Sequence, residues 1–267
     1  MHKLKLLVAT VLALALTATG VAFAANVYDL PGASTSPKGK GSTSKPAPKK
    51  VSFNYTVKDE AGPRGEPVKT YKIAFQGIRS YGKYFPKCTY AQTNQATVSS
   101  KCKRAIVGSG RIEALLGPDA STDPNLIQSY CNLKLTLYNI GNGIGIRLDT
   151  PQGSPSSQDG PFGCLTAQHT SIRARDRVVN LGGVKSGSLE FDVPNTPFRH
   201  VAGFQITTAR VTSTINRKTR TVRIKGKRRK VGYYSSVGCG KNGKRLVRVT
   251  FVDENNKSSV ATKSVRC

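Results

Sequence analysis

Along Val51-Ser52-Phe53-Asn54-Tyr55-Thr56-Val57, apolar and polar residues alternate without a break. One face collects Val51, Phe53, Tyr55 and Val57, the period-two pattern of a strand buried on one side. The alternation recurs at 71–75, 133–137, 144–149, 189–193 and 247–251. Residues 204–215 form a longer run whose apolar parity changes near Thr207–Arg210, which predicts a β-bulge. Turn residues separate the runs. Asn142-Gly143 lies between strands at 133–139 and 144–149, Asn242-Gly243 precedes a strand at 245–252, and Asn255-Asn256 precedes a last strand at 259–266. Roughly ten to twelve such strands with frequent turns predict an all-β fold, an antiparallel two-sheet β-sandwich of jelly-roll or Ig-like topology. One short helix is expected at 89–96. Long loops fall at 58–67, 117–128 and 150–170, the last carrying Pro151, Pro155 and Pro161.

The chain divides into three. Residues 1–25 open with Lys3 and Lys5, continue as an uncharged, mostly apolar stretch, and reach a small-x-small site at Ala22-Phe23-Ala24. That is the pattern of a signal peptide. An uncleaved anchor is the alternative, since about 20 apolar residues span a bilayer, but Thr10, Thr17, Thr19 and Gly20 dilute the stretch. Residues 26–49, rich in Gly, Ser, Thr, Pro and Lys, read as a flexible basic linker without apolar periodicity. Residues 50–267 form the β-sandwich domain.

All six cysteines follow the leader, which predicts a chain oxidised outside the cytoplasm, secreted or held at the cell surface. Six cysteines allow 15 pairings. Their order suggests three local bridges, Cys88–Cys102, Cys131–Cys164 and Cys239–Cys267. A zinc site fits poorly, because no two cysteines have C-x2-C spacing and His169 and His200 are the only histidines after the leader. No cofactor is expected.

Charge changes the picture most. The chain carries 42 Lys and Arg against 14 Asp and Glu, net +28, and removal of residues 1–25 leaves +26. Such a surface attracts polyanions: anionic envelope polymers, acidic polysaccharides, and nucleic acid only non-specifically. Nine of the 14 residues at 217–230 are basic: Arg217, Lys218, Arg220, Arg223, Lys225, Lys227, Arg228, Arg229 and Lys230. Thr221-Val222-Arg223-Ile224 alternates as a strand, Gly226 permits a turn, and Val231-Gly232-Tyr233-Tyr234 is read as the return. Residues 216–234 thus predict a protruding basic hairpin whose guanidinium forks match phosphate geometry, with Tyr233 and Tyr234 offering aromatic contact at its base. The alternative role is an edge hairpin whose charges prevent edge-to-edge pairing.

Phe85-Pro86-Lys87-Cys88, Cys102, the run 105–110, Gly232-Tyr233-Tyr234, Cys239, the strand near 245–253 and the terminal Cys267 together resemble a group of exported actinobacterial β-rich proteins with paired cysteines. The resemblance covers most of residues 50–267 through short motifs. It implies export and the 88–102 and 239–267 pairings, and no activity.

Catalytic motifs are absent. Gly141 to Ile146 begins like a dinucleotide fingerprint but has Ile146 where the third glycine belongs, and Gly182 to Gly187 has a P-loop frame followed by Ser188-Leu189 instead of lysine. No G-x-S-x-G elbow exists. A triad of a serine with His169 and Asp159, or Glu190 and Asp192 as a carboxylate pair on one strand face, are the remaining enzymatic options. The chain therefore reads as an exported, non-enzymatic β protein that associates with anionic envelope polymers. The alternatives are a secreted hydrolase of an acidic glycan working from the 150–170 loop, or a structural surface protein with incidental charge.

Overall fold

The structure is a computed structural model and describes residues 25–150, 169–196 and 198–267. Residues 1–24 of the expected signal peptide and the 151–168 part of the long loop, with Asp159 and Cys164, lie outside the described residues.

Four strands come first: β1 (Asn26–Ser36), β2 (Ala47–Asp59), β3 (Val68–Phe75) and β4 (Ile78–Ser80). Two short helices follow, α1 (Tyr90–Thr93) and α2 (Ser100–Arg104). Then come β5 (Ile106–Pro118), β6 (Ser129–Asn139), β7 (Gly143–Asp149), β8 (His169–Leu181), β9 (Val184–Asp192), β10 (His200–Val201) and β11 (Phe204–Ile215). The chain closes with β12 (Thr219–Ile224), β13 (Lys227–Gly232), β14 (Tyr234–Ser236), β15 (Lys244–Asp253) and β16 (Ser258–Arg266).

The fold is all-β and antiparallel. Its strands do not divide into the two separate sheets expected. They form one sheet of 14 strands in the order β16-β15-β3-β9-β8-β7-β6-β5-β11-β2-β14-β4, with β1 on β2 and β10 on β11, while β12 and β13 pair with each other. The sheet curls on itself, so one apolar face becomes a shared interior. Tyr55 of β2 meets Tyr71 of β3 and Phe251 of β15, each at 5.4 Å between ring centres. Burial alternates along β2 as the sequence pattern requires, with Val51, Phe53, Tyr55 and Val57 inside. The bulge in β11 falls between Thr208 and Arg210.

The flexible linker expected at 26–49 is a correction. Residues 26–36 are β1, paired with β2 from Asn26↔Asp59 to Ser36↔Lys50. Backbone pairing needs no apolar periodicity, and three side chains suffice to anchor the strand. Tyr28 stacks on Phe251 at 4.4 Å, Leu30 is buried, and Asn26 exchanges hydrogen bonds with Glu66. Beyond β1 the chain stays tied: the Gly39 amide donates to the Cys267 carbonyl at 2.6 Å, and the Ser236 hydroxyl donates to the Lys40 carbonyl. Lys49, the last residue of the expected linker, is fully buried and donates to the Pro37 carbonyl. At the other end of the sheet, β16 lies beside β1, where Lys263 Nζ reaches the Pro31 carbonyl at 2.6 Å.

The helix expected at 89–96 is α1, shorter than expected, and a second helix, α2, follows beyond that range. Thr89 and Gln92 form a reciprocal capping box on α1, which ends at Asn94, and Ser99 caps α2 afresh. Cys88 and Cys102 join these segments, with Cα atoms 5.0 Å apart, and Cys239–Cys267 fastens the chain end with Cα atoms 6.4 Å apart. The partner assigned to Cys131, Cys164, lies outside the described residues. Asn142-Gly143 does mark a hairpin, but Gly143 begins β7 rather than forming the turn. A Cβ there would sit 2.1 Å from the Ala174 carbonyl oxygen, so the glycine serves close packing against β8. Gly182 and Gly183, both at positive φ, are the turn between β8 and β9, which disposes of the P-loop frame.

Candidate functional site

β12 and β13 pair from Thr219↔Gly232 to Ile224↔Lys227. Lys225 and Gly226 turn between them with φ of 50° and 76°. Two left-handed residues make the tight turn whose twist matches its strands, and glycine is favoured at the second. Opposite partners share a face and successive residues alternate. Arg220, Val222, Ile224, Lys227, Arg229 and Val231 therefore lie on one face, and Arg223, Arg228 and Lys230 on the other.

The first face is laid on the body. Val222 and Ile224 pack against the core and Val231 is fully buried. Arg220 donates to the Tyr84 carbonyl at 2.5 Å, and Arg229 to that of Thr43 at 3.3 Å. Lys218 reaches the Arg104 carbonyl at 3.4 Å, and burial lowers its pKa. The ribbon thus lies flat and anchored where a protruding one was expected, because its apolar residues all fall on one side. Its return strand also ends earlier, at Gly232. Tyr233 and Tyr234 stack on each other at 5.4 Å inside the core, so neither ring is offered at the hairpin's base.

The second face is open. Arg223, Arg228 and Lys230, with Lys225 and Lys227 at the tip and Arg217 at the base, are exposed. Among the described residues none of them pairs with a carboxylate. The structure therefore sorts the nine candidate cations into six solvated ones and three that bond backbone carbonyls.

Beside the hairpin lies a cleft of about 450 Å³. Phe53, Ile73, Phe75, Leu189 and Ile215 floor it, Ile224 of the hairpin forms part of its wall, and Lys83, Asn142, Arg177 and Val178 stand at its exposed rim. Asp176 and Ser80 supply a polar band. The Tyr234 hydroxyl donates to Asp176 Oδ1 at 3.4 Å. Burial raises the Asp176 pKa above the usual carboxylate range, opposed by hydrogen bonds from Ser80 and Tyr234. Arg79 lines the same wall, and its buried Nε has no hydrogen-bond partner. No sequence motif marks this site. The available signal was parity along β8: Ile172 and Ala174 face inward, and Asp176 is the next residue on that side.

Of the residues that could carry enzymatic chemistry, the second histidine, His200, and the carboxylate pair have these surroundings. His200 is held between carboxylates, Nδ1 2.6 Å from Asp119 and Nε2 3.0 Å from Glu254, which Arg199 also engages. Both ring nitrogens therefore face carboxylate oxygens. Asp192 accepts from Thr70 at 2.6 Å on an open sheet face. Asp159 lies outside the described residues, and the His169 backbone begins β8. Among the described residues no cluster of three or more His, Cys, Asp or Glu is placed to hold a metal ion, and no helix is long and apolar enough to cross a membrane. Compared with protein families, with curated proteins and with solved structures, the chain matches none.

Proposed function

We propose that the protein is exported and binds an anionic envelope polymer along the open face of the β12–β13 hairpin. The observation that carries this reading is the sorting of charges. One face of the ribbon is fixed to the body, so the other presents unpaired cations in a preset row. Neighbours in such a row are about 5 Å apart across the strands and about 7 Å along them. Anchoring lowers the ordering entropy lost on binding, and guanidinium forks suit carboxylate and phosphate groups alike. Disulfide bonds agree with an oxidising location.

The test is retention on immobilised polygalacturonate and polyphosphate at two or more salt concentrations. Replacing Arg223, Arg228 and Lys230 with Ser should weaken binding and flatten its salt dependence, since each phosphate contact contributes to the slope. The control replaces Lys38, Lys40 and Lys45, exposed lysines of the loop before β2. Equal losses from the two triples would mean that net charge alone is read and would sink the proposal.

A further inference from the structure

The cleft beside the hairpin combines features that the polymer reading does not use. Its volume, about 450 Å³, falls within the range of sites for small organic ligands, about 300–1,000 Å³. Its floor is apolar and belongs to the core: Phe53, Ile73, Leu189 and Ile215 line both the cleft and a smaller neighbouring cavity of about 70 Å³. Its upper wall and rim are cationic. Arg79, Lys83 and Arg177 form no ion pair with any described carboxylate. Lys83 instead sits 4.9 Å over the ring of Tyr84, and Arg79 leaves a buried Nε without a partner.

Polarity therefore runs from apolar at the bottom to positive at the mouth. We infer that the cleft binds a small amphipathic acid, an alkyl or aromatic body carrying one carboxylate or phosphate, apolar end first. The body replaces water on Phe53, Phe75, Leu189 and Ile215, and Ile224 of the hairpin closes one side. The acid group accepts from Arg79 and meets Lys83 and Arg177 at the rim. Asp176 is the one acidic residue of the lining. With Ser80 and Tyr234 beside it, it offers the ligand a hydrogen bond when protonated and repels the acid group when ionised. This site is separate from the open face of the hairpin, and neither proposal depends on the other.

The probe is a dansyl-labelled fatty acid bound to the full chain and displaced by decanoate, decyl phosphate, decanol, acetate or inorganic phosphate. Decanoate and decyl phosphate should displace it at concentrations at least about tenfold lower than decanol, the difference expected of one charge-assisted contact. Acetate and inorganic phosphate, which lack the body, should fail. Lys83→Gln with Arg177→Gln changes only exposed rim residues and should remove most of the preference for the acids while leaving decanol unaffected. Arg79→Gln should act the same way. Ile224→Trp should block all alkyl ligands. The Ser triple on the hairpin's open face should bind them normally, which separates a failure here from a failure of the polymer reading. Equal displacement by decanol and decanoate, no binding of the probe, or undiminished binding to Ile224→Trp would each overturn the assignment.

Discussion

Arg223 and Arg228 stand directly opposite each other across β12 and β13. Like charges in that position destabilise a strand pair, so this ribbon tolerates a repulsion that an anion lying between the two would relieve. Arg228→Glu converts the pair to an attractive one. The hairpin amides should then exchange more slowly at low salt, by an amount equivalent to about 0.2–1 kcal/mol, while retention on polyphosphate falls. Faster exchange in the variant would show that the two guanidiniums do not repel.

The first described strand carries stability. Leu30 is 3% exposed, and truncating a buried leucine costs about 2–5 kcal/mol. Leu30→Ala should lower the urea midpoint accordingly, and limited proteolysis of the native protein should spare residues 26–36. Rapid cleavage between Tyr28 and Ser36 would restore the linker expectation.

Loss of the Cys239–Cys267 bridge should be felt in two places. A double Cys→Ala change opens a loop of 28 residues, with a cost of about 3–4 kcal/mol in the chain-entropy account. Because the Cys267 carbonyl accepts from Gly39, residues 37–46 should lose protection from hydrogen exchange as well. Protection unchanged at 37–46 would show that the loop is held by its other contacts alone.

Lys49 gives a pH signature. Burial first, then Arg245 and Arg217, lower its pKa to about 8 from the ordinary 10.5. Between those values the unfolded chain holds a proton that the folded chain has released, so stability rises with pH across the window. The penalty is fully present below the folded value. Lys49→Met should flatten the rise, measured by denaturant unfolding between about pH 7.5 and 9.5, below the tyrosine range near 10. A rise that survives the substitution would assign it to another group.

Strand period was legible because burial on one side imposes alternation: β2, the β11 bulge and the turn at Asn242-Gly243 follow directly from residue order. The single curled sheet was not legible, since alternation says which residues face inward and nothing about which strands become neighbours. β1 was hidden for a different reason. Its small polar residues pair through backbone, and only Tyr28 and Leu30 report the packing. Cation spacing located the hairpin, yet its attitude depends on Val222 and Ile224 sharing a face with Arg220 and Arg229. The cleft escaped because Phe53, Arg79, Asp176 and Ile224 come from four distant segments, and only the folded sheet brings them together.

Phe53, Ile73, Leu189 and Ile215 support the interior and shape the cleft at once. Heritable change at these four positions alters robustness and selectivity in the same step, so the two traits cannot drift apart. Residues at the mouth, such as Lys83, Arg177 and Val178, carry no such obligation. Diversification within a lineage is therefore channelled to the entrance, where a new preference for the charged end of a guest can arise without disturbing the frame, while the lower chamber keeps its form.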